Sequence, residues 1–421
     1  MTSQPAQAGA QLEADTTPLT AIDVSRMERF RAGTHWPFFA RLRREDPVHY
    51  CADSIHGPYW SITRYADVNA VERDFRRFSS QGNVIIGDVP PEFDAPAFAT
   101  ADPPTHTVER QAVMPALAPR RLARLESEIR LEIQRILDGL PLGEDFDWVE
   151  RVSVDLTTRM VAILFDFPRA QRQLLPYWAE VLVSTPGPGA VAATWDERRA
   201  ILDDYLERVL TMWRERSGEP ARDDVIAVLA RNPQTAAMIE DAKHLIGTVT
   251  MIAGANEAAR GALSGGVVAF DRFPDEWSAL RANPTLLENA VAEIVRWQTP
   301  ITHMRRTATE DLELAGKRIH KGDRVVMWYC SANRDEAVFE EADLFRIARP
   351  NARRHAGYGF GIHHCLGRHV AALELRILWE EILRRFSRVE VTAQPEPLLS
   401  NFSANYSRLM VRLSAISRRT Q

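Results

Sequence analysis

A mainly helical fold with small β-sheets, of the α+β class, is what this sequence predicts, and three observations lead there. Amphipathic helical patterns fill most of the chain. Strand-like runs are short and set apart from them, which argues against the alternation of a parallel α/β layout. Neither an internal repeat nor a low-complexity linker divides the chain, so one domain over residues 20–421, preceded by a flexible tail over residues 1–19, is the simplest organisation.

The elements follow in order. A helix over residues 37–44 leads into strands at 48–51 and 59–63, where β-branched and aromatic residues cluster. Helical periodicity then covers 122–137, 148–165, 170–183 and 195–216. The run STPGPG, from Ser184 to Gly189, breaks any helix, and a break between two long helices suits a lid. From Thr235 to Phe270 the pattern is helical, long, and contains Gly247, Gly254 and Gly261. A mid-helix Gly costs about 1 kcal/mol relative to Ala. Three of them point to close approach by another backbone or by something flat. A helix over 286–297 then precedes a strand at 325–328.

Bulk properties exclude several classes. The net charge of −5 argues against a nucleic-acid partner. Three cysteines, Cys51, Cys330 and Cys365, are too few and too scattered for a disulfide framework or a zinc-ligand pair, which fits a reducing compartment. The first residues lack the basic start and apolar run of a secretion signal, and no segment is apolar enough to cross a membrane. A cytoplasmic monomer without a membrane anchor is the expectation.

The most informative run is HAGYGFGIHHCLGRHVAALE, from His355 to Glu374. A glycine-rich loop here delivers one Cys to the start of a long helix. Thiolate is the form of Cys that binds metal, and the unpaired N–H groups and positive dipole end of a helix lower a thiol's pKa. Gly359 and Gly361 let the loop pass close beneath a large planar ligand, and Gly367 removes a side chain just after the Cys for the same reason. Taken alone, a Cys before a helix is more often a small buried hydrophobe. The surrounding pattern decides otherwise: an aromatic residue, two spaced glycines, a basic residue, the Cys and a following Gly. In this the run resembles the signature of the cytochrome P-450 superfamily, the haem-thiolate monooxygenases, with Tyr358 where most members carry Phe. The resemblance implies that Cys365 is the iron ligand and that Tyr358, Gly359 and Gly367 line the haem.

Other parts of the family's pattern are present. Glu293 and Arg296, three apart on one helix face, match its Glu-x-x-Arg pair, and Arg349 matches the Arg that completes a buried network. By themselves they read as an exposed pair of small worth. His106 and Arg110 match a His-x-x-x-Arg at the start of a helix, and Arg306 and His363 match two further bases. The resemblance implies that these four hold the haem propionates, carboxylates that need charged or hydrogen-bonding donors. It covers residues 35 to 415.

In most members the central helix carries a Gly, a variable residue, an acid and then a Thr beside bound oxygen. The segment here is IAGANEAARGALSG from Ile252, and matching Asn256 and Arg260 puts Glu257 at the acid and Ala258 at the Thr. A shift of one puts Glu257 at the Thr but breaks both matches. Glu257 is thus the candidate proton-relaying group, while Ala258 lacks the usual hydroxyl. A carboxylate paired with a helix neighbour is the plainer reading of Glu257. Three routes stay open: water or a substrate hydroxyl supplies the proton, the oxidation is not an ordinary hydroxylation, or coupling is poor.

Longer runs are similar to the soluble bacterial alkane and fatty-acid hydroxylase branch: HWPFFARLRREDPVHYC from His35, DWVERVS from Asp147, IVRWQTPITHMRRTA from Ile294 and VVMWY from Val325. That similarity implies haem b as cofactor and a small hydrophobic substrate, an alkane, fatty acid or terpenoid. The substrate would be received by the loop 82–91 with Ile85, by Leu182 in the lid, by Gly254, by Ile301 and Thr302, and by Phe402. One atom of O₂ would enter a C–H bond. Electrons from NAD(P)H would arrive through a ferredoxin reductase and a small acidic ferredoxin docking near Arg353, Arg354, His364 and Arg368, because the chain carries no flavin or iron–sulfur module. Phenol coupling or another one-electron oxidation on the same haem is one alternative. A non-catalytic haem-based binding or sensing protein is another.

Overall fold

A computed structural model describes residues 4–88, 96–168, 171–172, 174, 177–178, 181, 192–254 and 256–416. The chain forms two compact units. The first is built from Met1–Val89, Ile136–Ser153 and Glu257–Gln421, the second from Pro90–Arg135 and Val154–Asn256. The chain passes between these units inside helical segments such as Pro119–Asp138, without a linker.

The first unit holds a five-stranded sheet in the order Val48–Cys51, Tyr59–Ile62, Arg324–Trp328, His303–Ala308, Phe78–Ser79. Tyr59–Ile62 and Arg324–Trp328 pair in parallel, with Trp60 opposite Val325, and the other neighbours are antiparallel. Side chains alternate across a strand. Val325 and Met327 accordingly enter one apolar cluster with Trp60, Ile62 and Val68, while Val326 and Trp328 enter another with Tyr59, Phe38 and Phe39. Both faces are covered, which is why these strands read as continuous apolar runs.

The second of those clusters includes a part of the chain expected to be a tail. Residues Gln4–Thr16 form a helix in which Ala10 and Ala14 are buried, and Ala14, Ile22 and Val24 pack with Phe38 and Phe39. Arg41 donates to the carbonyls of Ala14 and Thr17. The packed face is made of small alanines, so apolar periodicity gives little sign of it.

Elsewhere the helices Trp36–Glu45, Trp195–Ser217 and Leu287–Gln298 lie within one or two residues of their expected bounds. The stretch expected to be one helix over 148–165 is a π-helix, Val149–Val154, running into an α-helix, Asp155–Leu164. The pattern expected from Thr235 to Phe270 is a short 3₁₀ turn, Ala236–Glu240, followed by helices Ala242–Gly254 and Asn256–Arg272. A Cβ on Gly261 would lie 2.6 Å from Asn405 Oδ1 and 3.1 Å from the Ala404 carbonyl, so this glycine admits a neighbouring loop. Among the described residues outside its own helix, none comes within 4 Å of the same position on Gly254. Leu182 and the STPGPG run lie outside the described residues, as does much of the helix expected over 170–183.

Glu293 and Arg296, both fully buried, sit on one face of Leu287–Gln298. Two nitrogens of Arg296 donate to the two Glu293 oxygens, each at 2.7 Å. Arg349 Nε adds a bond at 3.0 Å and the Arg346 backbone N–H another at 2.9 Å. Arg296 also donates to the carbonyls of Asn333, Ala342 and Leu344. Asn333 Oδ1 in turn accepts from the Ala356 N–H at 2.6 Å, at the entrance to the loop that carries Cys365. Breaking a buried pair from one side strands the other charge, at a cost of about 3–5 kcal/mol. Arg296→Met is therefore expected to lower unfolding free energy in urea by that amount and to reduce haem retained on purification. A loss below about 1 kcal/mol would place the cluster among the weak ion pairs instead.

Candidate active site

Cys365 ends a tight loop three residues before helix Arg368–Arg385. Its N–H donates to the Tyr358 carbonyl at 2.8 Å, closing the loop, and Arg368 Nη1 donates to its carbonyl at 3.1 Å. Cys51 and Cys330 are buried in the strand core, and burial pushes their thiols up to about 11 and about 12. Cys365 is the one cysteine that is half-buried. Among the described residues, and apart from its chain neighbours, the nearest atom to a Cβ on Gly367 would be Cys365 Sγ, at 4.0 Å.

Gly359 and Gly361 also seat the loop against protein. Both adopt left-handed backbone, with φ of +65° and +62°. A Cβ on Gly361 would fall 2.4 Å from the Glu72 carbonyl, and one on Gly359 would fall 3.3 Å from Glu72 Oε2. Their missing side chains make room for neighbouring protein atoms of Glu72. The seat is the end of helix Tyr65–Arg73, whose buried Glu72 accepts from the Phe360 N–H at 3.2 Å, from the Tyr329 hydroxyl at 2.6 Å and from Arg306 Nη2 at 3.0 Å. Glu72 was not singled out from the sequence. It shares a helix face with buried Tyr65, Val68 and Val71, and a carboxylate on an apolar stripe was the signal that could have found it.

The expected propionate partners divide between the units. In the first, Arg306 is buried, bonded to Glu72 and donating Nη1 to the Arg305 carbonyl at 2.8 Å. His363 Nε2 lies 2.9 Å from Ser80 Oγ. Tyr358, whose ring meets His355 edge-on at 4.9 Å, has its hydroxyl pushed well up by burial. In the second unit His106 and Arg110 lie four apart on helix Thr105–Val113, on one face, with His106 buried and Arg110 half-buried. Between them Glu109 accepts from His244 Nε2 at 2.8 Å, a contact that raises the pKa of His244.

On helix Asn256–Arg272, Glu257 and Ala258 are half-buried. Glu257 Oε2 accepts from Ser403 Oγ at 3.1 Å and Asn405 Nδ2 at 3.0 Å, and Oε1 lies 3.6 Å from Arg260. Its carboxylate is thus held by the loop through Ser403 and Asn405 as well as by a helix neighbour. The same loop carries Phe402. Its carbonyl accepts from the Thr302 N–H at 2.9 Å, and Ile301 bridges to Ser403. The Val84 carbonyl, next to Ile85, accepts from the Arg305 N–H at 2.7 Å. The structure therefore brings Ile85, Ile301, Thr302 and Phe402 to one strand and its flanking loops. Gly254 belongs to the second unit, and Leu182 lies outside the described residues.

The chemistry of this donor set suits an iron porphyrin: a half-buried thiol ahead of a long helix, no side chain at Gly367, and bases on the flanking elements.

The cytochrome P450 family model matches residues 267–411. Linalool 8-monooxygenase of Pseudomonas putida is 34% identical over 387 residues, which is 89% of this chain and 94% of that protein. A methyl-branched lipid omega-hydroxylase of Mycobacterium tuberculosis is 32% identical over 382 residues, covering 86% of this chain and 87% of its own. Among solved structures, cytochrome P450-153 from Novosphingobium aromaticivorans matches with a TM-score of 0.84 at 38% identity, over 93% of this chain and 99% of the other.

Two outcomes follow from the thiolate side. Cys365→Ser is expected to leave a folded chain whose reduced carbon monoxide complex lacks the red-shifted Soret band of a thiolate ligand, whereas Cys51→Ser and Cys330→Ser keep it. Persistence of the band without Cys365 would move the ligand elsewhere. The second concerns Glu374, nine residues on, which is buried with Oε1 lacking a hydrogen-bond partner among the described residues, and which burial pushes up to about 8. The ordinary value is 4.5, so between these two pH values the folded chain holds one proton more than the unfolded chain. That contribution to stability is complete at low pH and falls as pH rises through the window, by about 1.4 kcal/mol per pH unit. Glu374→Gln removes it. The difference in urea stability between parent and variant should move in the variant's favour from pH 5 to pH 8, and a constant difference would show the carboxyl to be ionised in the fold.

Proposed function

The chain belongs to the cytochrome P450 family, and from that premise we propose that it hydroxylates a small hydrophobic molecule with electrons delivered by a ferredoxin. It is a haem-thiolate monooxygenase, using haem b, O₂ and NAD(P)H-derived electrons that arrive through redox partners. The observation that carries the reading is Cys365, a single half-buried cysteine presented by a glycine loop ahead of a helix. An alkane, fatty acid or terpenoid is the substrate class: the named relatives include a linalool monooxygenase and a lipid hydroxylase, and Ile85, Ile301 and Phe402 offer apolar surface on adjoining loops.

When bound, the haem supplies reductive activation of O₂, which a thiolate ligand favours by donating electron density toward O–O cleavage. The chain's own residues supply the rest. Cys365 would ligate as thiolate, and Arg306 and His363, with His106 and Arg110 by family resemblance, would donate to the propionates. Glu72 neutralises part of the Arg306 charge and fixes the loop through the Phe360 N–H. Arg353 and Arg354 form an exposed basic pair suited to an acidic ferredoxin, with Arg353 held to Glu288 at 2.8 Å.

A second reading, one-electron oxidation such as phenol coupling, is favoured by one observation: Ala258 stands where a hydroxyl would organise proton delivery. Incubation with ferredoxin, its reductase and candidate substrates under ¹⁸O₂, read by mass spectrometry, separates the cases. One labelled oxygen in the product supports hydroxylation. A coupled product without label supports the second reading, and ligand binding without turnover supports a non-catalytic role. Within the hydroxylation reading, Glu257 is the acid nearest Ala258 in sequence and the candidate relay, since its side chain is 41% exposed and able to exchange protons with water. Glu257→Gln is expected to lower product formed per NADH consumed, by about two- to tenfold. Ala258→Thr should raise that ratio or leave it. Equal coupling in Glu257→Gln would assign the carboxylate to holding the 403–405 loop alone.

A further inference from the structure

His303 carries no role in the family pattern, yet it lies at the meeting point of the elements read above as substrate walls. It is fully buried on strand His303–Ala308, with its ring centroid 4.7 Å from that of Trp328 and 5.4 Å, edge-on, from that of Phe402. Its Nε2 accepts from the Ile86 backbone N–H at 3.2 Å, beside Ile85. Its Nδ1 faces the Asn401 carbonyl at 3.0 Å, beside Phe402. A carbonyl only accepts and a backbone N–H only donates, so the proton is on Nδ1 and Nε2 is the acceptor. Protonating Nε2 would set two donors against each other, and burial holds the pKa down at about 3, so the ring is neutral.

We propose that His303 is a positioning residue for substrate selectivity: one neutral imidazole fixes the Ile85 loop and the Phe402 loop at a set separation on the same strand. The inference rests on the reading of Ile85 and Phe402 as walls of the substrate site. Neighbouring contacts support it. Arg305, two residues on, donates its N–H to the Val84 carbonyl and pairs with Asp88 at 3.0 Å, so the loop is pinned on both sides of Ile86. Thr302 donates its hydroxyl to the Asn401 carbonyl that faces Nδ1. Ser403 and Asn405 carry the same loop to Glu257 on the oxygen-side helix. Among the described residues named in this chain of contacts, no other side chain both donates and accepts to hold the two loops.

The test uses the haem-loaded protein and two nitrogen ligands of haem iron, imidazole, which is too small to reach the walls, and 4-phenylimidazole, which presses an apolar ring on them. His303→Phe keeps the ring and loses both bonds; His303→Gln keeps an acceptor for the Ile86 N–H. The dissociation constant of 4-phenylimidazole, read from the Soret shift, is expected to rise about tenfold in His303→Phe and about threefold in His303→Gln, with that of imidazole unchanged. Hydrogen exchange at the Ile86 amide should accelerate in the Phe variant and less so in the Gln variant. Ile85→Ala and Phe402→Ala are the controls. If they alter 4-phenylimidazole binding and both His303 variants do not, the positioning role is overturned while the wall assignment stands. If the controls change nothing, the wall assignment itself is wrong. Should His303→Phe fail to hold haem, the Gln variant decides alone: an unchanged ratio of the two ligands' constants overturns the proposal, and a raised one supports it.

Discussion

A carboxylate removed from water keeps its charge only if cations and N–H donors replace the lost hydration, and Glu293 is such a carboxylate. It is satisfied by Arg296, by Arg349 and by the backbone at Arg346. Those partners come from a helix and from the segment after residue 340, distant in sequence, so one buried charge holds together pieces that have no local reason to meet. Its reach extends further. Arg296 binds the Asn333 carbonyl, and the Asn333 side chain holds Ala356. The loop that presents Cys365 therefore leaves the core at a fixed point and lands on Glu72 at another. Between those supports its glycines take up the left-handed turns that bring the thiol to the head of its helix.

Much of this was legible because the chemistry is concentrated in short runs. The segment from His355 to Glu374 names its ligand and its helix, and Glu293 with Arg296 can be read from spacing alone. What escaped is what depends on contacts between distant segments. Glu72 meets residues 306, 329 and 360, and no spacing within its own helix announces them. The contact of Gly359 and Gly361 with Glu72 is illegible for the same reason: a glycine tells of close approach but not of every atom that approaches. His303 sat inside a run quoted for its resemblance, where its neighbours drew the attention. The helix Gln4–Thr16 is not legible because alanine carries too little apolar signal to mark a face.

On helix Asn256–Arg272 an absent side chain and a retained one sit side by side. At Ala258 there is no hydroxyl, yet the acid at Glu257 is not adrift: the loop through Ser403 and Asn405 holds it in place. The same loop presses on Gly261, where any Cβ would collide with Asn405. Helix and loop are thus registered against each other by a glycine and a carboxylate one turn apart. A substitution in the loop acts on Glu257 and on Phe402 together, because Phe402 is next to Ser403.

The N-terminal helix carries a consequence for handling the protein. Ala14, Ile22 and Val24 cover one side of the cluster that contains Phe38, Phe39 and Trp328, and Arg41 ties that arm down through two carbonyls. Proteolytic loss of the segment that carries Ala14, Ile22 and Val24 would uncover part of this apolar cluster, and contiguous apolar surface drives self-association. Clipping in storage would then show itself as aggregation before any change in the absorbance of the haem.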